Sequence, residues 1–317
     1  MNPTSTDVHV DAALSDLSIS YGAQQYVWDQ MFPVVPVDKQ SDKYYIWNAA
    51  DFRRDEGAAV MRAPSALANR GGQRLSTDSY YCDNYAWGKP TPKETSRNAD
   101  AALRQQQKAT AYCTEVVNRR IEMQQVTDCF ATSKWGTDVT AGSLDYSSNT
   151  VVSWATTATS DPIGNVRHYA DEIQKATGLR PNSIMLSRTV LSIILDHPDF
   201  IDRLTDQKDR IVQLANIAAL FEVDRVVVGQ ASYNSAAEGA TATNAWVHGD
   251  NALLYYVPSS PGIDVPSAGY TMQWGPRSVL NYEDTPAGKM TDVVEVHEYV
   301  DFEITASALG VFFSDIV

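Results

Sequence analysis

Residues 97–130 read "RNADAALRQQQKATAYCTEVVNRRIEMQQVTDCF". Within them Ala99, Leu103, Ala109, Cys113, Val116, Val117, Ile121, Val126 and Phe130 recur mostly at intervals of three and four, with no Gly or Pro among them. That spacing is one face of an α-helix. Just upstream, "GKPTPKETS" acts as a breaker: Pro90 and Pro92 end a strand, and Thr95 or Ser96 supplies an N-cap. A helix is therefore expected over 95–130, roughly 50 Å long at about 1.5 Å per residue. Ordinary helices average about 11–12 residues. The apolar stripe is thin and mixed with Ala and Gln, which suits a helix lying across a sheet. No charge pattern at the flanking positions supports a coiled coil.

Outward from this helix toward the N-terminus lies "ADFRRDEGAAVMRAPSALANRGGQR", Ala50 to Arg74. It has no helical or strand period and carries five arginines, Arg53, Arg54, Arg62, Arg70 and Arg74, against Asp51, Asp55 and Glu56. The flanking "KYYIWN" and "STDSYYCDNYAW" are rich in Tyr and Trp and read as strands, so residues 43–93 form a long hairpin-like excursion. Residues 1–42 are a mostly polar arm with a short helix near Ala23–Met31, after which Pro33 and Pro36 favour extended backbone. Its apolar residues Tyr26, Trp28, Met31 and Phe32 have little to bury against within the arm, and dock either on the chain's own core or on a neighbour.

Toward the C-terminus the pattern alternates from about residue 160. "IGNVRHYADEIQKATG" is an amphipathic helix with Gly178 as its C′ residue. "NSIMLS" and "DRVVVG" are buried strands, and "RTVLSIILDHPDFIDRL" is a helix broken at His197-Pro198. "DQKDRIVQLANIAALFE" is a further helix; "NAWVHGDNALLYYVP" and "AGYTMQWG" add strands. The last segment, "TDVVEVHEYVDFEITASALGVFFSDIV", puts Val294, Val296, Val300, Phe302 and Ile304 on one face at period two. Glu295, His297, Tyr299, Asp301 and Glu303 fall on the other.

Composition narrows the function. The net charge is -14 and hydrophobic residues make up 44%, a folded chain poorly suited as a whole to neutralising phosphates over a broad surface. No run of about 18 apolar residues exists to span a membrane, and the N-terminus lacks the pattern of a secretory signal. Cys82, Cys113 and Cys129 are three cysteines without CxxC spacing, expected as free thiols. The search for chemistry returns no catalytic, cofactor-binding or metal-binding set. "PAGKM" at Lys289 lacks the upstream Gly and the Ser/Thr of a phosphate loop. "HEYVD" at His297 has Asp301 where HExxH needs His, and on a strand those positions lie about 13 Å apart. His9, His168, His197 and His248 are scattered singly.

The order of these parts resembles the major capsid proteins of tailed bacteriophages, the Hong Kong 97-type fold also found in encapsulins. The phrases that carry it are "DKYYIWNAADFRRDEGAAVMRAPSALANRGG", "RPNSIMLSRTVLSIILDHPDFIDRL", "ANIAALFEVDRVVVGQASYN" and "HGDNALLYYVPSSPGIDVPSAGYTMQWG". The resemblance implies an α+β chain: an N-terminal arm (1–42), an extended β-hairpin loop (43–93), a peripheral domain (94–159) with a spine helix at 95–130, and an α/β axial domain (160–290). A closing strand (291–317) returns to the peripheral domain and pairs near 137–155. It implies a non-enzymatic subunit, without cofactors, that self-assembles as pentamers and hexamers into an icosahedral head shell around double-stranded DNA. The subunit would reside in the virion after assembly in the host bacterial cytoplasm. Arg53, Arg54, Arg62, Arg70 and Arg74 would then grip a neighbouring copy, since the guanidinium fork gives bidentate geometry to carboxylates. The short arm favours a separate scaffolding protein; a portal and a decoration protein are further partners, and DNA is held without sequence-specific contacts. Lys43, Lys89 and Lys93 lie away from the loop tip, so no lysine crosslink is expected. Alternatives from other classes are an encapsulin-like cargo compartment and an α/β enzyme with a site assembled from distant residues.

Overall fold

A computed structural model describes residues 26–48, 52, 60–62, 64–65, 67–70, 76–94, 102–143, 150–203, 213–237, 239–262, 265–284 and 290–317. The chain enters through a single helical turn, α1 (Trp28–Met31), halted by Pro33, and strand β1 (Val34–Val37). Tyr26, Trp28, Met31 and Phe32 are all buried in the chain's own core. Trp28 meets Phe302 edge-on, and Phe32 meets Tyr255 at 5.6 Å between ring centres. Of the two docking sites open to the arm, the described part takes the chain's own core.

Strands β2 (Ser41–Ile46) and β3 (Ser76–Tyr81) pair antiparallel as the root of the excursion. Strand β4 (Asp83–Pro92) then runs through Pro90 and Pro92, which the sequence marks as its end. Among the described residues it pairs with one later strand, on one side. The two prolines share a parity, so both missing N–H groups point to the open edge, where no ladder bond is lost.

Helix α2 (Ala102–Cys129) is 28 residues without a break, and residues 95–101 of the expected span lie outside the described residues. Beside the apolar stripe of Ala109, Cys113, Val117 and Ile121 runs a second buried stripe, Thr110, Thr114, Asn118, Glu122 and Gln125. Thr110 and Thr114 satisfy their hydroxyls by donating to the carbonyls of Gln106 and Thr110, at 2.9 and 2.8 Å. Strand β5 (Thr137–Val139) follows.

The next stretch alternates as its patterning predicts: α3 (Pro162–Thr177), β6 (Ser183–Ser187), α4 (Arg188–Asp196), α5 (Pro198–Arg203), α6 (Leu214–Phe221) and β7 (Arg225–Gly229). Asp161 caps α3 by accepting from the Gly164 N–H at 2.8 Å, and Gly178 ends it at φ 83°. The break between α4 and α5 falls at His197, because Pro198 cannot donate into a continuing helix. Then come β8 (Ser232–Asn234), β9 (Asn244–Trp246), β10 (Ala252–Tyr255), β11 (Gly269–Trp274), β12 (Ser278–Asp284), β13 (Thr291–Ile304) and β14 (Gly310–Phe313).

Two five-stranded sheets result. In one, the 14-residue β13 is the axis: β4 lies along one edge, while β11 and β12 share the other end to end, with β1 parallel to β11. Helix α2 packs across β13 and β4, as its thin stripe requires. The other sheet runs β5-β14-β10-β6-β7. The sequence groups 269–284 with residues 160–290, but these strands hydrogen-bond to β13. The pairing expected between the closing segment and 137–155 is met by four-residue β14 on β5, whereas β13 pairs with β4, β11 and β12. One apolar cluster spans α1, α2 and both sheets, and a smaller one, Tyr44, Tyr80, Cys82, Tyr270 and Met272, sits at the excursion root.

Candidate assembly interface

Of the five arginines expected to grip a neighbour, Arg62 and Arg70 are exposed on the excursion. Arg53, Arg54 and Arg74 lie outside the described residues. The neighbouring Val60, Met61 and Leu67 are exposed as well.

What holds the root of this excursion is the polar face of β13, whose pattern at period two reads in sequence as a solvated surface. Tyr44 donates its hydroxyl to Glu303 Oε2 at 2.7 Å, and the Tyr81 N–H donates to Asp301 Oδ2 at 2.8 Å. The Trp47 N–H adds a bond to the Thr305 carbonyl at 2.8 Å. Burial pushes Glu303 up to about 7, and the nearby Asp301 charge adds to it while the Tyr44 hydrogen bond opposes it. Asp301 is raised too, by burial first. Further along, Glu295 accepts from the Tyr282 hydroxyl at 2.6 Å, and His297 sits 3.4 Å from the same carboxylate.

Two buried polar clusters tie the remaining parts together, and neither stands out in the sequence. Glu298 falls on the dry face of β13, between Val296 and Val300. It pairs with Arg277 and accepts from Gln273 Nε2 at 2.6 Å, while Arg277 also donates to Asn118 Oδ1 at 2.6 Å. In the second cluster Glu122 accepts the Val27 N–H at 2.9 Å, and Gln125 donates to the Trp28 carbonyl at 2.7 Å. The polar stripe of α2 thus receives the incoming arm. His248 Nε2 stands 3.5 Å from Glu122 Oε1, both groups fully buried.

Burial pushes Glu122 up to about 8, opposed by the Val27 and Trp28 N–H groups and assisted by Asp29, and it pushes His248 down to about 4. Burial favours the uncharged form of both groups, a carboxyl facing an imidazole rather than an ion pair. The signs follow from linkage. The Glu122 contribution is complete below its ordinary 4.5 and lost as pH rises through about 8. The His248 contribution is complete above its ordinary 6.5 and lost as pH falls through about 4. From 4.5 to 6.5 the two slopes oppose each other; above 6.5 only the Glu122 decline remains of the two. Denaturant unfolding across pH 4–8 should show that decline in the parent chain, and Glu122→Gln should diminish it, leaving the smaller decline of Glu303 up to about 7 and the rise from His248. An undiminished decline in the variant would assign it elsewhere.

No family model matches the chain. It is 26% identical over 274 residues to the major capsid protein of Burkholderia phage BcepMu, covering 83% of each chain. It is 25% identical over 318 residues to the major capsid protein of Pseudomonas phage JBD67, covering 97% of each. Among solved structures, a phage-related protein from Bordetella bronchiseptica RB50 superposes with a TM-score of 0.73 at 23% identity, over 98% of both chains. The mature capsid of bacteriophage PhiM1 gives 0.57 at 12% identity, over 99% of this chain and 91% of that one. The chain is thus similar over 83% and 97% of its length to two phage major capsid proteins, and its fold is the Hong Kong 97-type capsid fold.

Proposed function

We propose that copies of this chain build a phage head shell by reaching across one another through the 47–75 excursion, and that Arg62 and Arg70 pair there with a neighbour's carboxylates. The chain is a structural, non-enzymatic subunit of the virion that assembles with itself. The observation that carries the reach is exposure: among the described residues of the excursion, Val60, Met61, Arg62, Leu67 and Arg70 are all exposed, and apolar side chains held in water mark a contact surface.

The same proposal draws the subunit's internal boundaries by strand pairing. Residues 269–284 go with α2 and β13, while β5 and β14 complete the sheet of β6, β7 and β10. Partners of the assembling shell are a scaffolding protein, a portal and packaged DNA, with assembly in the host cytoplasm. A wall of net charge -14 would hold DNA loosely, since like charges repel and the affinity of DNA-binding surfaces comes from neutralised phosphates.

Size exclusion with light scattering, backed by negative-stain images, tests assembly directly. Shells, capsomers or curved sheets are expected from the parent chain. A clean 34.9 kDa monomer at high concentration, persisting after addition of phage lysate, would refute it. Arg62→Ala with Arg70→Ala should leave the circular dichroism spectrum unchanged and lower the assembled fraction. Each exposed pair contributes only about 0–1 kcal/mol, but repetition around the shell multiplies the loss. Equal loss of helix content and assembly would count against an inter-subunit role.

A further inference from the structure

The excursion has an apolar tip and an apolar socket, at opposite ends. The socket is a pocket of about 350 Å³ at the root, walled by Val35 and Val37 of β1, Tyr44 and Tyr80 of the hairpin, and Tyr270 and Met272 of β11. At its mouth Lys39 pairs with Asp42 at 2.9 Å, and Asp38 presents an exposed carboxylate. At the tip, Val60 is 75% exposed, Met61 84% and Leu67 90%. Contiguous side chains of this kind held in water mark a contact surface rather than a packed one.

We propose that Met61 and Leu67 of one copy seat in the root pocket of the next copy, with Arg62 facing Asp38 at the mouth. This rests on the reach across copies argued above and names what the tip meets there. Reach and charge both favour a second copy as the occupant. Met61 lies fifteen residues beyond Ile46, the end of β2, so the excursion spans at most about 50 Å at about 3.3 Å per residue. A compact chain of this length is itself about 50 Å across. A fully extended excursion of this length would equal one molecular diameter, the spacing at which the root of a touching copy comes within its reach. The guanidinium beside Met61 is matched by the carboxylate beside the pocket. Tip and socket are different surfaces, so the contact is head-to-tail. Such contacts close into rings or continue as extended arrays, whereas an isologous contact ends at a dimer.

Met61→Cys combined with Tyr45→Cys tests the contact in the full chain. Tyr45 lines the pocket and is 39% exposed, while Cys82, Cys113 and Cys129 are buried. Assembled particles treated with a short bismaleimide should give a ladder of dimers, trimers and higher species on a denaturing gel. Either single-cysteine variant should give none. Particles that yield only monomer, or an internally linked monomer, would overturn the docking while leaving assembly intact. A parent chain that forms no particles would instead sink the assembly on which the docking rests. If the cysteine pair itself blocks particle formation, Met61→Asp with Leu67→Asp decides. A fall in the assembled fraction of about tenfold supports the socket, and an unchanged fraction overturns it.

Discussion

Glu298→Ala is expected to destabilise the subunit by about 3–5 kcal/mol, because it removes the buried carboxylate that pairs with a buried guanidinium. Glu298 is 1% exposed, and Arg277 is 9% exposed at its side chain. Without Glu298, Arg277 loses its buried carboxylate partner while keeping its bond to Asn118 on α2, and Gln273 loses its acceptor on β13. The damage falls where α2, β11, β12 and β13 converge. A double variant separates the cause. Arg277→Met with Glu298→Met removes both charges and fills similar volume, so it should cost far less than the single change. Urea unfolding of the three chains measures this. Equal losses in single and double variants would mean that packing, not the unpaired charge, is the reason.

Trp154→Ala should cost a similar amount, about 3–5 kcal/mol, through a cavity. Trp154 is fully buried, and its ring lies 5.5 Å from that of Phe313 of β14 at a tilt of 45°. While its backbone N–H donates to the Ile316 carbonyl at 2.8 Å, the indole packs against the last strand. Removing it empties a site bounded by backbone on one side, which cannot collapse freely. At this chain length such a loss lowers Tm by roughly 5–8 °C. Trp154→Phe keeps most of the filled volume and should lose less than half as much. Calorimetry showing equal shifts for Ala and Phe would mean that the size of the cavity does not set the loss.

Much of the fold is visible in one dimension where the determinant is local. The three-four spacing of α2, the C′ position of Gly178 and the break at His197-Pro198 all appear in the structure because each is settled within a few residues. Strand partners are settled elsewhere. Nothing near 269–284 announces that these strands will lie against β13 rather than β10, since pairing depends on which edges remain free after the rest has folded. Buried polar groups are hidden for a related reason. Thr110, Thr114, Asn118, Glu122 and Gln125 look like the wet side of α2, and Glu298 like an ordinary acidic strand position. The two threonines bond within the helix, whereas Asn118, Glu122, Gln125 and Glu298 find their partners in Arg277, Val27 and Trp28, drawn from distant segments. Of the candidate interface, the exposed arginines were legible as unexplained charge. The Tyr44–Glu303 and Tyr81–Asp301 bonds that hold the root were not, because their partners are more than two hundred residues apart in sequence.

The open edge of β4 bears on kinetics as well as on shape. A chain crowded by identical copies offers each one the same unpaired strand, and strand-to-strand addition between copies leads to cross-β fibres that do not dissolve. Pro90 and Pro92 deny that edge two donors in succession, so a passing copy finds no continuous template there. Association is left to side-chain contacts that are weak singly and reversible. A wrongly placed copy can leave, and errors in the growing lattice are corrected before they are locked in.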